Sequence, residues 1–422
     1  MGDELIPKLR KDIEIKILDT SYVEETYLIK AGERQYEISA KYAQLLKLID
    51  GKRSIEDITT EFSKVINRPV SSADIKNMID NDLILTGIVS FGDSFTEAPK
   101  KRTYLHFRFP LIKENKLYPV ANLFHQLFDI KIMIVLISFV TITQLYFYLF
   151  LDAPLTSVVL ISGTDLSLAT LLVFVSLLFH ELGHISACHH YGAKYQNVGV
   201  GLYFYFPAFY SDVTGAWVLN RRQRTVVDFG GVYFQLLMVP LFIALYQITH
   251  EGYLVYVVYI INFSILSNLN PFIRLDGYWM ASDLTGIPNL RKKSIEIIKY
   301  YIRKLYKTNI KQPLFLNQIK EKILIGILIY SILSTAFYIF FGFKIFSEFT
   351  FAILSYGTIA QRLIHSVSVG VNEFISSFIK FMFVNIVLFS FLFFLYRLIL
   401  SKLLKLLTDN LKTKLSFPKS WK

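Results

Sequence analysis

The chain has 422 residues, 53% of them hydrophobic, with 37 Phe and 26 Tyr, and its mean hydropathy is +0.42. This is too apolar for an ordinary soluble globule and reads as an α-helical polytopic membrane protein of about six transmembrane helices with a small N-terminal winged-helix-like α+β domain. The net charge of +12 comes from basic residues gathered in particular loops, so they read as topology determinants set against a lipid bilayer, and nucleic acid is excluded as a partner.

Residues 1–98 are charged, mixed and of ordinary hydrophobicity, and read as a cytoplasmic domain. Met1–Lys16 alternates charged and apolar residues, so no signal peptide is expected. Tyr22–Lys30 and Gln35–Ile38 flank Ala31-Gly32-Glu33 and predict a hairpin; Ser39–Ile49, Ser54–Ile66 and Ser71–Asp82 show helical periodicity with Ser at each N-cap, and a short strand, Leu83–Val89, follows. Leu45, Leu46, Leu48, Ile49, Ile55, Ile58, Phe62, Ile75, Ile79 and Leu83 form the expected core. Ser71–Asp82 sets Asp74, Asn77, Asp80 and Asn81 against one Lys, which argues against DNA binding. The run Ile38-Ser39, then Leu45 to Ile58 through Asp50-Gly51, then a helix ending in Leu83, resembles the PqqD-like domains that bind leader peptides of ribosomally made, modified peptides. That resemblance implies a leader peptide bound by residues 22–89, added as a strand at Tyr22–Lys30 and lying along Ser71–Asp82.

Residues 99–131 are a basic, aromatic juxtamembrane linker, where Tyr104, His106, Phe107 and Phe109 suit the membrane interface. Six stretches are long enough to cross a bilayer: Ile132–Leu151, Leu166–Cys188, Val226–Ile248, Tyr253–Phe272, Ile323–Phe343 and Phe374–Leu400. Phe349–Ile364 is marginal, because Arg362 and His365 close it. The chain thus divides into a core at 132–280, a basic loop at 281–322 and C-terminal helices with a basic tail at 323–422. With six spans, Lys100-Lys101-Arg102, Arg221-Arg222-Gln223-Arg224, the loop Arg291–Lys322 and the tail after Arg397 fall on one side, whereas Asp152–Asp165 carries no Lys or Arg. The expectation is a multi-pass protein of the cell membrane with both termini cytoplasmic. The single cysteine, Cys188, excludes an intrachain disulfide.

His180-Glu181-Leu182-Gly183-His184 ends the apolar run Leu166–Phe179. Ionisable groups at mid-helix in lipid cost roughly 2.5–3.5 kcal/mol each on insertion scales, and a metal ion would offset that. On a helix the two histidines stack on one face, where both reach one Zn²⁺, and Glu181 sits beside them to handle the proton of an attacking water. A zinc hydrolase needs a third protein ligand, and His190, Asp212 and Asp276 are the candidates. His190 lies six residues after His184, but Ala187 stands where a helix-breaking glycine would be needed to bring it round. Asp212 is a loop carboxylate. Asp276 follows Pro271, which breaks the preceding helix at membrane depth, and its preference over the other two rests on the resemblance given next. The second and fourth spans run in the same direction, which puts the His pair and Asp276 at a similar depth near the cytoplasmic face.

Together with that pentapeptide, Asn268-Leu269-Asn270-Pro271-Phe272-Ile273-Arg274-Leu275-Asp276-Gly277 resembles the paired motifs of the site-2 protease family, intramembrane zinc metalloproteases, over roughly Leu166–Trp279. The resemblance implies that His180, His184 and Asp276 bind zinc, that Glu181 activates the water, and that Asn268 steadies the substrate carbonyl or the oxyanion. Arg274 departs from the small or proline residue expected before Leu275, and either touches a substrate carboxylate or snorkels. The resemblance implies that the aromatic stretch Val198–Tyr210 is either a strand that pairs with extended substrate or part of the packed core, and Tyr210–Trp217, with Asp212 and Trp217, resembles the peptide zinc metalloprotease subgroup. Gly230-Gly231 would permit close helix approach.

The reading is a zinc endopeptidase acting on a peptide or membrane-protein substrate, in maturation or export of a ribosomally synthesised modified peptide, with an ABC exporter or a peptide-modifying enzyme as further partners. Two others stay open: regulated proteolysis of a membrane-anchored signalling protein, and a non-catalytic binding or export partner.

Overall fold

The computed structural model describes residues 6–31, 34–92, 95, 105–151, 163–203, 206–306, 310–371 and a set of positions between 373 and 396. The turn at Gly32-Glu33, most of the loop Asp152–Asp165, Lys100-Lys101-Arg102, Tyr104 and the tail after Arg397 lie outside them, as does part of the predicted span Phe374–Leu400. The chain forms two compact units, Met1–Ser331 and Ile332–Lys422, and is predominantly helical.

The N-terminal region opens with β1 (Lys8–Leu9), β2 (Ile13–Leu18), β3 (Thr26–Ala31) and β4 (Arg34–Ser39). Helices α1 (Ala40–Leu48), α2 (Ile55–Val65) and α3 (Ser72–Met78) follow, then β5 (Val89–Ser90). Ser54 and Ser71 start α2 and α3 through capping boxes with Asp57 and Asp74, whereas Ser39 makes no side-chain cap. All the expected core residues lie in one cluster, with Leu48 only partly buried. The strand expected at Leu83–Val89 is corrected: the helical path widens into a π turn over Ile79–Leu83, and only Val89–Ser90 pairs, with Lys8–Leu9. A further strand, β2, was hidden by its alternation of charge. It makes β3 the central strand of the order β2-β3-β4, so the edge expected at Tyr22–Lys30 is already paired on both sides, and the outer strands are β2 and β4.

Strand β6 (Leu105–Lys113) and helix α4 (Glu114–Phe124) give the 99–131 stretch structure that its composition did not disclose. Among the described residues four helices are long and apolar enough to cross a membrane: α5 (Ile130–Phe150), α6 (Gly163–His190), α7 (Arg221–Thr249) and the last one, Glu321–Val369. α8 (Gly252–Asn268) is apolar but has 17 residues, ending four short of the expected Phe272 because Pro271 disfavours helical backbone at Asn270. α9 (Asp276–Thr285), α10 (Leu290–Lys304) and α11 (Leu314–Gln318) lead into α12 (Glu321–Val369). At 49 residues, α12 is about 74 Å long against a hydrocarbon core of about 30 Å, so the expected separate span Ile323–Phe343 is one part of a continuous helix that also contains Phe349–Ile364. Nothing between them breaks it, since Lys344 and Glu348 pair one turn apart at 3.0 Å. The count of six spans is therefore not reproduced among the described residues.

Between α6 and α7 the chain forms β7 (Asn197–Tyr203) and β8 (Phe206–Ser211), and β6 joins them in the order β6-β7-β8. β7 is central, so only β8 of the expected substrate stretch keeps an outer edge among the described residues. β8 runs beside α6, with the Phe209 and Phe174 rings 6.3 Å apart.

Candidate metal centre

Helices α6 and α7 approach backbone to backbone: a Cβ on Gly183 would lie 2.2 Å from the carbonyl oxygen of Gly230, so both positions must stay glycine for this crossing. Gly231, the next residue, faces the histidines, and a Cβ there would fall 2.4 Å from His180 Nε2 and 2.5 Å from His184 Nε2. The pair Gly230-Gly231 therefore does two jobs, one for packing and one for leaving room at the imidazoles. Gly231→Ala is expected to fold but to displace the rings and lower zinc content, measured by metal analysis of purified protein; full zinc in this variant would show that the space is not needed.

His180 and His184 are buried, at 5% and 6% exposure, and Glu181 at 9%. Asp276 opens α9, with Gly277 packed against the main chain of Asn268 and Leu269 at the end of α8, so the break at Pro271 turns the carboxylate back toward α6. Asp276 Oδ2 lies 2.9 Å from His180 Nε2 and 3.5 Å from His184 Nε2, and the two Nε2 atoms are 3.1 Å apart. Among the described residues these three form the group that could hold a metal.

The protonation pattern follows from the outer partners. His184 Nδ1 is 2.8 Å from the Val227 carbonyl oxygen, which can only accept, so the ring carries a proton there and, when neutral, presents its lone pair at Nε2. His180 Nδ1 lies 3.0 Å from Gln235 Oε1, and Gln235 Nε2 turns to Ser176 Oγ at 3.4 Å, so the same assignment holds for His180. Three lone-pair atoms thus converge, and Asp276 Oδ2 is buried without a hydrogen-bond donor. A proton could satisfy only one pair of them. A tetrahedral zinc with bonds of about 2.0–2.1 Å separates its ligand atoms by about 3.3 Å, close to the observed spacings, so the residues present fit that ion.

The other candidates lie elsewhere. Asp212 Oδ1 accepts from Thr214 N and Oγ1 in a local turn, at 3.2 and 2.7 Å. The His190 ring lies edge-on to Tyr191 and tilted against His125 and Phe128. Arg274 sits over the Tyr278 ring and its carbonyl accepts from Tyr203 OH at 3.0 Å, which ties β7 to the segment before Asp276. Asn268 closes α8, with its amide nitrogen 3.5 Å from Ser264 Oγ. Gln235 escaped the sequence reading; an amide inside an apolar span, fully buried here, was the available signal.

Among curated proteins, "Putative peptide zinc metalloprotease protein YydH" of Bacillus subtilis (strain 168) is 29% identical over 106 residues, which is 25% of this chain and 42% of that protein. The likeness is to a metalloprotease. It supports a zinc metalloprotease function in general, in agreement with a His-His-Asp group that suits the ion. The match spans less than half of that relative. No family model matches the chain, and no solved structure matches it.

Proposed function

We propose that this protein is an intramembrane zinc endopeptidase of the site-2 protease type that cleaves a ribosomally made peptide captured by residues 22–89. The observation that carries the reading is the convergence of His180 Nε2, His184 Nε2 and Asp276 Oδ2, with each imidazole's Nδ1 engaged by an outer acceptor. Zinc bound there supplies Lewis acidity toward a scissile carbonyl and lowers the pKa of water. Glu181, in the same turn of α6, takes the proton of the attacking water and passes it to the leaving amine. Gln235 and the Val227 carbonyl hold the imidazoles in the tautomer that presents Nε2. Asn268 is assigned to steadying the substrate carbonyl. The outer edge of β8, beside α6, offers main-chain groups to an extended substrate, and pairing there would lay a peptide along the helix that carries the histidines. Among the described residues β2 and β4 are the outer strands of the capture region's sheet, so a leader peptide would add there.

Both termini face the cytoplasm in this proposal, which lets a captured peptide reach the metal without crossing the bilayer. A cysteine placed at exposed Lys299 in a Cys188→Ala background is expected to resist a membrane-impermeant thiol reagent in intact cells; labelling would invert the topology. For the activity, purified full-length protein is incubated with short precursor peptides encoded beside its gene, with and without a chelator. Cleavage that stops with chelator and returns with zinc is the expected result. Cleavage of a single-span membrane protein instead, with the peptides left intact, would shift the reading to regulated intramembrane proteolysis.

A further inference from the structure

Arg224, near the start of α7, is 5% exposed and spends all three guanidinium nitrogens on separate elements. Nε donates to Asp283 Oδ1 at 2.7 Å, Nη1 to the Leu219 carbonyl at 2.9 Å, and Nη2 to the carbonyl of Asp19 at 3.1 Å. Asp19 belongs to the N-terminal region, in the connection between β2 and β3. Asp283 is on α9, seven residues or two turns after Asp276 and so on the same face of that helix.

The same connection grips α9 a second time. Ser21, fully buried, donates its main-chain N–H to Gly286 O at 2.9 Å, and Gly286 is the left-handed residue that ends α9 (φ +64°). Arg221, one turn before Thr225 on α7, bonds Asp19 through its main-chain N–H and Ser21 Oγ through its guanidinium. Tyr22 is bridged to Ile319 and packs against the cluster that contains Ile319, Ile287, Leu290 and Tyr278, and Tyr278 lies two residues after Asp276. The metal-ligand helix is therefore held at one end by the loop that follows α8 and at the other by a turn of the N-terminal region.

The geometry points to a positioning role: through the Asp19–Tyr22 turn and the Arg224–Asp283 pair, the N-terminal region sets the placement of α9 and with it the reach of Asp276 toward the histidines. It rests on the metalloprotease reading in taking Asp276 as a zinc ligand. The N-terminal region is then part of the metal centre's scaffold as well as a capture module, and whatever moves the turn changes how tightly the ion is held.

The test uses full-length protein in detergent, with the rate of zinc release to a chromophoric chelator and amide hydrogen exchange of the metal-free protein as readouts. Arg224→Gln and Tyr22→Ala are expected to speed zinc release by about ten- to a hundred-fold, the scale on which support around a metal ligand acts, and to raise exchange within α9 while α6 stays protected. Arg224→Lys, which keeps an ion pair with Asp283 and loses the fork, should fall between them and the wild type. Glu24→Ala, exposed in the same connection, serves as the control and should match the wild type. Wild-type release and exchange in folded Tyr22→Ala would overturn the proposal, and that variant decides the matter if Arg224→Gln does not fold. A wild-type protein that binds no zinc would sink the metalloprotease reading instead, and the exchange comparison would still decide whether the turn holds α9.

Discussion

Glu181→Gln is expected to keep zinc at the wild-type level and to lose turnover by about 10²–10⁴-fold, the range that a positioned general base contributes. The substitution preserves size and leaves His180, His184 and Asp276 untouched, while an amide cannot accept the proton of an attacking water. Burial sharpens the expectation, because Glu181 is only 9% exposed and bulk water has little access to replace it as a proton acceptor. Metal analysis and a cleavage assay on one preparation separate the two effects. Undiminished cleavage would remove Glu181 from the chemistry, and loss of zinc would make it a structural support of the site.

Asp276→Ala is expected to reduce zinc affinity by more than the 10–100-fold or so that loss of an outer-shell partner costs, because it removes one of three converging donors and leaves the histidines to hold the ion as a pair. Asp212→Ala and His190→Ala provide the contrast. Asp212 is occupied with Thr214 in its own turn, and His190 is packed among Tyr191, His125 and Phe128, so both variants should hold zinc normally. Competition against a chelator of known affinity ranks the three. Zinc loss in Asp212→Ala with retention in Asp276→Ala would reassign the third ligand.

The imidazole donors were legible from spacing. Two histidines four apart on a helix share a face whatever surrounds them, so His180 and His184 could be singled out without coordinates, while Asp276 was preferred to Asp212 and His190 through the resemblance of Asn268–Gly277 to a family motif. The apolar core of residues 45–83 was equally readable, because helical periodicity and Ser-capped starts are local properties. Strand β2 and the third sheet strand β6 were not, since charge alternation and a basic aromatic run look alike whether paired or solvated, and pairing depends on a partner far along the chain. The length of α12 was misread for a related reason: Ile323–Phe343 and the marginal Phe349–Ile364 were read as separate stretches, and one helix runs through both, with Lys344 and Glu348 paired between them.

Residue type and local spacing alone determined which side chains are able to bind a metal. The tertiary structure decided that they do converge, and which ring nitrogen of each histidine faces the site, because the groups that fix the two imidazoles, Gln235 and the Val227 carbonyl, lie 55 and 43 residues away and meet them only where α7 crosses α6 at Gly183 and Gly230. The same holds for Arg224, whose partners Asp19 and Asp283 are 205 and 59 residues distant. A charge in the first turn of an apolar helix reads as a topology signal until the fold buries it, and burial is what obliges each of its donors to find a partner.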